Sequence, residues 1–406
     1  MKFFIYSILI LVTILQCKSP DTSESGGSDM VLEYSIDIDT LIQGHTDSST
    51  WFYPSVGVIP NNQPIFVFAI QEWFKGRSDV FSPVVSSYSL DKGQSWTELE
   101  DPQSAFTYRS ESDNIDVGIC NFTLKWHKKT KSLLGTAHTV RYREKSLVSG
   151  LRSTIWATYD ETTMSWNKWK SLEMPNDPKF YDSGACADQR VDLPNGDVLL
   201  PIYYRAKGVD RYTSSVIRCS YDGEDLVFKE IGNALDLNIR RGFFEPSIAF
   251  YKGKYYLTIR NDENGYVAVS EDGLNFSEPV IWHFDNGKEI GTYNTQQHWI
   301  VHSDGLYLVY TRRGADNDHV IRHRAPLFIA EVDVEKMVLK KETEKIVIPN
   351  RGALLGNFSI ANINENETWV TAAELMMGKG EEKYGAEGNV YAAKILWNKP
   401  NKDWMN

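Results

Sequence analysis

Six times along this chain the same short pattern returns: an apolar strand, a tight polar turn, and a second apolar strand ending in polar or charged residues. The copies begin at Tyr53 (YPSVGVIPNNQPIFVFAIQE), Asp116 (DVGICNFTLKWHKKTKSLLGTAHTVRY) and Gly184 (GACADQRVDLPNGDVLLPIYYR). They continue at Phe243 (FFEPSIAFYKGKYYLTIRND), Tyr293 (YNTQQHWIVHSDGLYLVYTRR) and Leu354 (LLGNFSIANINENETWVTAAE). The turns carry Asn-Asn, Asn-Gly, Lys-Gly and Asp-Gly, which tolerate the positive φ of hairpin turns. Successive copies start roughly 50–70 residues apart, the length of a four-stranded propeller blade. Six copies predict an all-β, six-bladed β-propeller. The leftover strands at 31–38 and 389–397 are expected to share one blade, which closes the ring and removes exposed sheet edges.

Ahead of the repeats, Lys2 precedes an apolar run from Phe3 to Leu15 and then Gln16-Cys17, the layout of a secretory signal. The run is too short to span a bilayer as a mature helix. Ile14-Leu15-Gln16-Cys17 resembles a bacterial lipobox, which implies lipidation of Cys17 and a membrane-anchored protein in the periplasm or on the cell surface. Residues 18–30 are Ser, Gly, Asp and Glu with almost no apolar side chain, so they read as a tether. The expected organisation is a signal at 1–17, a tether at 18–30 and one propeller domain at 31–406. With 43 Lys and Arg against 54 Asp and Glu, the net charge of −11 argues against nucleic acid as a partner. Aromatic content of 13% favours strands and sugar-binding surfaces over helical bundles. Cys120, Cys186 and Cys219 match no zinc spacing and are read as core residues, with one disulfide possible.

Between the hairpins lies a second signature. Ser89, Asp91, Gly93 and Trp96 in SLDKGQSW fill every position of S-x-D-x-G-x-x-W, the Asp-box. Shorter copies follow at Thr158-Tyr159-Asp160 with Trp166, Ser220-Tyr221-Asp222 with Phe228, and Ser270-Glu271-Asp272-Gly273 with Phe276. Asp accepts backbone N–H bonds, Gly takes a positive φ, and the aromatic packs under the hairpin, so the motif is structural. Hairpins and boxes together resemble the sialidase superfamily of Asp-box propellers, which implies a sialidase-like fold.

In a propeller one face collects the starts of the inner strands and the ends of the second strands. The hairpin alignment predicts His138, Arg141, Tyr204, Arg205, Arg260 and Arg312 at the second-strand ends. It predicts Arg190, Glu245, Gln297 and His298 at the inner-strand starts. Four successive arginines on one face of an acidic protein imply a small anionic ligand group, because guanidinium matches carboxylate or sulfate. The alternative is that each arginine pairs with a protein carboxylate. Glu245-Pro246 followed by Arg260 and then YVAVSEDG is similar to sialidases, in which a catalytic Glu and the second arginine of a triad stand in this order. That resemblance implies Glu245 as the general base tuning a nucleophile, Arg260 and Arg312 as carboxylate holders, and Asp79 as acid/base. The chain departs from the family where Phe52 replaces an expected arginine and where RGALLGNFSIAN supplies no tyrosine nucleophile.

The expected function is therefore exo-acting hydrolysis of a glycan carrying a carboxylate sugar, by a monomer with no organic cofactor and no residue assigned as a metal ligand. A different enzymatic reading rests on His138, Tyr204 and Arg205: a base plus an arginine that neutralises a uronate carboxylate suits β-elimination. That combination looks similar to ulvan lyases and rhamnose–glucuronate-specific propellers. In HVIRHRAPLF, strand alternation sends either Arg322 and Arg324 or His323 inward, and the order alone does not choose. A third reading is a non-catalytic glycan-binding propeller on the cell surface.

Overall fold

The computed structural model describes residues 31–111, 114–148, 150–185, 189–378 and 380–405. The expected signal at 1–17 with Cys17, the 18–30 segment and Cys186 lie outside the described residues. From Leu32 onward the chain folds as one unit of six antiparallel sheets arranged as a β-propeller. Five sheets have four or more strands. The first has three, Ser49–Ile59, Ile65–Phe74 and Val85–Ser89, and a bridge between Ser86 and Glu100 with a bond from Thr97 N to the Tyr88 carbonyl at 3.0 Å holds its outer position. The last sheet joins the two ends of the chain: Tyr34–Ile42 pairs antiparallel with Val390–Trp397, Tyr34 opposite Trp397.

The apolar second strands have a simple cause. Successive side chains of a strand point to opposite faces, and each blade is covered on both. Val67 faces the second blade with Ile119, Leu133 and Trp166, whereas Phe66 and Phe68 face the sixth with Trp369. Every pair of neighbouring sheets encloses such a cluster, including Leu134 with Leu200, Leu199 with Leu257, Tyr256 with Leu308, and Ile300 with Val370. Burying each large side chain of this kind contributes about 1.5–3 kcal/mol. The ring is held by these six interfaces, since the sheets share no strand ladder with one another.

Toward the shaft, three inner strands carry the same irregularity. Register shifts fall between Phe52 and Ser55, Cys120 and Thr123, and Phe244 and Ser247. Within them Tyr53, Asn121 and Glu245 have φ of 50°, 58° and 49°. A bulge with a left-handed non-glycine residue costs about 1–3 kcal/mol and re-aims one side chain. The hydroxyl residue after each bulge stitches blades together: Ser55 Oγ accepts from Leu124 N at 3.1 Å, and Ser247 Oγ accepts from Gln189 N at 3.0 Å.

The turn at Ser89–Trp96 is built as its residues suggest. Asp91 Oδ1 accepts from Gln94 N and Ser95 N at 3.1 and 2.9 Å, and Gly93 at φ 82° packs over Trp369. The turn at 270–276 repeats it, with Asp272 Oδ1 accepting from Leu274 N and Asn275 N at 2.9 and 2.7 Å. Cys219 is a free buried thiol, pushed up to about 12 by burial and then by Asp197, so it joins no disulfide. Cys120 is buried and donates to Asn121 Oδ1 at 3.0 Å.

Candidate functional site

Arg260 ends the second strand of the fourth blade opposite Phe244. Its Nη1 donates to Glu245 Oε2, and its Nη2 donates to Asn294 Oδ1 at 2.6 Å. Arg241 Nη2 donates to the same Oδ1 at 3.3 Å, and its Nε donates to Asp262 Oδ2 at 2.9 Å. From the fifth blade, Arg324 Nε and Nη2 donate to the Asn294 carbonyl at 3.2 and 2.6 Å, and Nη1 donates to Asn357 Oδ1 at 3.2 Å. Asn294, itself at φ 49°, thus gathers three guanidiniums from distant parts of the chain. The Phe244 ring forms the floor, with Arg241 and Arg260 over it at 4.5 and 4.7 Å.

Charge is unbalanced here. Arg260 has Glu245 and Arg241 has Asp262. Arg324 is buried and bonded only to neutral oxygens, and Arg322 has no hydrogen bond or ion pair among the described residues. Burial first, and then the like charges of Arg260 and Arg322, push the Arg324 guanidinium well down; burial, Arg260 and Arg241 also lower Arg322. Burial alone would raise the Glu245 carboxyl, but Arg260, Arg324 and Arg241 outweigh it and hold it below the usual range. Asp79 is exposed on the turn after Ile65–Phe74, and its negative charge reaches both Arg322 and Arg324.

A second polar group adjoins the first. Asp182 accepts from Arg205 Nε at 2.8 Å and from Arg152 Nη1 and the Tyr212 hydroxyl at 3.1 Å each. Arg152 Nη1 also donates to that hydroxyl at 2.7 Å. His138 is buried beside them, its Nδ1 2.8 Å from the Thr139 carbonyl. Burial and then Arg152 lower it to about 4, against the pull of Glu245 and Asp182, so the imidazole is neutral at pH 7.

Of the residues expected at the site, Glu245, Arg260, His138 and Asp79 do meet on this face. The four second-strand arginines do not form one free clamp, because each has a protein carboxylate: Arg141 with Glu111, Arg205 with Asp182, Arg260 with Glu245 and Arg312 with Glu344. Arg312 is spent on Glu344 at 2.8 and 2.9 Å beside the Tyr310 hydroxyl, and Arg324 stands in its stead next to Arg260. Arg190 is also structural, since it donates to Asp192 at 2.9 Å and to the Leu134 and Lys125 carbonyls at 2.9 and 2.8 Å.

Tyr204 points the other way, into the interface of the second and third blades against Phe180 at 5.2 Å. Its neighbour Tyr203 faces the site with Tyr212 at 5.1 Å; a step of one residue exchanges the two faces of a strand. Gln297 is buried with protein partners, accepting from Thr258 Oγ1 at 3.0 Å and donating to the Thr295 carbonyl. His298 lies in the shaft, with Nδ1 2.9 Å from Ser247 Oγ and a buried Nε2 that has no partner among the described residues. Phe52, where the family has an arginine, packs against Phe81 at 4.4 Å.

Asn294, Arg152, Asp182 and Tyr212 were not anticipated. The one hint was the Arg-Gly pair before Phe243, where Gly242 at φ 68° approaches the Tyr212 backbone too closely for a Cβ. Among the described residues no three His, Cys, Asp or Glu side chains group as metal ligands.

No family model matches this chain, and no curated protein matches it. Solved structures do. The sialidase of Trypanosoma rangeli superposes with a TM-score of 0.54 at 12% identity, covering 89% of this chain and 59% of its own. The NanB sialidase of Streptococcus pneumoniae gives 0.56 at 10% identity over 89% of this chain and 70% of its own. This chain has the sialidase fold. The intramolecular trans-sialidase of Ruminococcus gnavus gives 0.50 at 10% identity, covering 90% of this chain and 97% of its own. The chain spans only 59% of the trypanosomal enzyme. At such identities the likeness concerns the sialidase fold alone.

Proposed function

We propose that this chain is a sialidase-type glycoside hydrolase that removes a carboxylate-bearing sugar from the end of a glycan. The observation that carries the reading is the guanidinium surplus around Asn294: Arg324 and Arg322 lack a carboxylate partner, and Arg260 beside them has only Glu245. Unpaired cations crowded together are costly, and a ligand carboxylate supplies the missing charge through bidentate bonds. Asp79, exposed within electrostatic range of Arg322 and Arg324, is the group available to protonate the glycosidic oxygen. Glu245, ionised at neutral pH, stabilises positive charge developing at the anomeric carbon and orients the attacking water. The C–O bond to the leaving group breaks as the protonated form of Asp79 gives its proton to the leaving oxygen; the water oxygen bonds the anomeric carbon, the proton it loses passes to Glu245, and exchange with solvent restores both carboxyls. The protein is read as an exported monomer, held to a membrane by a lipid on Cys17.

One observation favours a second reading. Neutral His138 beside the Tyr212, Arg152 and Asp182 network offers a base and a cation for β-elimination from a uronate, with Tyr212 in the role expected of Tyr204. A screen of the full-length protein on sialosides and uronate polysaccharides separates the two. Hydrolysis yields new reducing ends with no ultraviolet absorbance, whereas elimination yields both together. Turnover that survives Arg260→Ala and Arg324→Met would contradict the hydrolase reading.

A further inference from the structure

Between the first and second blades, next to the turn that carries Asp79, a cleft of about 420 Å³ opens on the same face. Its walls are aromatic. The Tyr142 hydroxyl accepts from Phe81 N at 3.1 Å and the Tyr108 hydroxyl donates to the Phe81 carbonyl. Tyr108 also lies over Gly118, so close that a Cβ there would stand 2.8 Å from the ring. Both rings are therefore fixed, with their hydroxyls consumed internally; half-buried Tyr108 leaves apolar surface to the cleft, as a sugar-stacking wall requires, and buried Tyr142 backs it.

Two of the cationic side chains around this wall are unspent. Arg77 and Lys145 line the cleft, and neither side chain makes a hydrogen bond or ion pair among the described residues. Lys75 is committed to His45 Nδ1 and the Thr46 carbonyl at 2.8 and 2.9 Å. Asp47 and Asp116 also line it, acceptors suited to sugar hydroxyls. Two free cations for an anionic substituent, two carboxylates for hydroxyls and a rigid aromatic wall together match an acidic sugar.

Asp79 lies at the boundary. Its charge acts on Arg322 and Arg324 to one side and on Tyr142, a cleft wall, to the other. We propose that the cleft between the first two blades is a second subsite, which holds an acidic sugar on the leaving-group side of Asp79. This rests on the hydrolase reading above, in which the cleaved sugar occupies the Asn294 cluster. The preferred glycan would then carry negative charge on two successive units.

The test is calorimetric titration of the full-length protein with galactose 6-sulfate and with galactose, in wild type, Arg324→Met, and an Arg77→Ala/Lys145→Ala double variant. Both cleft residues are exposed, so the substitutions leave the fold intact. The proposal expects the double variant to bind galactose 6-sulfate about tenfold or more weakly, also when combined with Arg324→Met, as loss of charge-assisted bonds dictates. Equal binding of galactose 6-sulfate by the double variant and its parent in the Arg324→Met background would overturn it. So would equal affinity for galactose and its sulfate. Should the cleft bind as expected while no glycan is hydrolysed, the subsite stands and the hydrolase reading falls; hydrolysis without any cleft effect has the opposite meaning.

Discussion

Arg324 is where the account makes its least intuitive prediction. Removing a buried arginine that makes three hydrogen bonds normally destabilises a protein. Here the acceptors are the Asn294 carbonyl and Asn357 Oδ1, at 2.6–3.2 Å, with no carboxylate among them. Losing those bonds costs about 1–3 kcal/mol, chiefly by leaving the Asn294 carbonyl short of donors. Against that stand the desolvation of an unpaired cation, several kcal/mol per ion, and its repulsion by Arg260 and Arg322. Methionine preserves the stem, which packs over Gly356 at 2.7 Å from where a Cβ would lie. Arg324→Met is therefore expected to hold or raise the urea midpoint. The same change should weaken a carboxylate ligand such as N-acetylneuraminic acid about ten- to hundredfold by calorimetry, the worth of a charge-assisted pair. A loss of stability above about 3 kcal/mol with ligand affinity intact would mean that Arg324 is a structural strut and would refute the reasoning.

Arg312→Ala should behave in the opposite way, losing stability by about 3 kcal/mol because Glu344 is left nearly buried without its main partner, while N-acetylneuraminic acid binds as before. Urea titrations and calorimetry read the two effects. Stability should also fall in mild acid. His138 and His298 are lowered to about 4 and about 3, burial being the first cause for each, so between pH 6.5 and 4 the unfolded chain takes up protons that the folded one refuses. Stability is complete above pH 6.5 and declines by about 1.4 kcal/mol per unit for each histidine as pH drops toward 4. Replacing His298 with Asn should flatten the slope; an unchanged slope would remove His298 from the explanation.

The propeller was legible because its causes are local and repeated: turn residues, apolar alternation and spacing recur six times. Glu245 and Arg260 were legible because one hairpin holds both. What the sequence conceals is side-chain direction at strand ends and the identity of each charge's partner. Tyr204 and Tyr203 differ by one step of the pleat, and no spacing states which faces the shaft. Arg312 and Arg324 have the same chemistry, and only Glu344, thirty-odd residues away, captures the first and leaves the second free. Asn294 carries no motif at all; it becomes a hub because a left-handed backbone turns its carbonyl and amide toward three guanidiniums. Bulges at Tyr53, Asn121 and Glu245 likewise re-aim side chains in a way that alternation counting misses.

The most direct test of the central claim is hydrolysis itself. Full-length protein is incubated with sialylated and uronate-terminated oligosaccharides, and released monosaccharide is quantified beside ultraviolet absorbance, in wild type and Arg324→Met. Release of an acidic monosaccharide without absorbance, and its loss in the variant, is the predicted result. Product that absorbs in the ultraviolet, or release that the variant leaves untouched, would contradict the account.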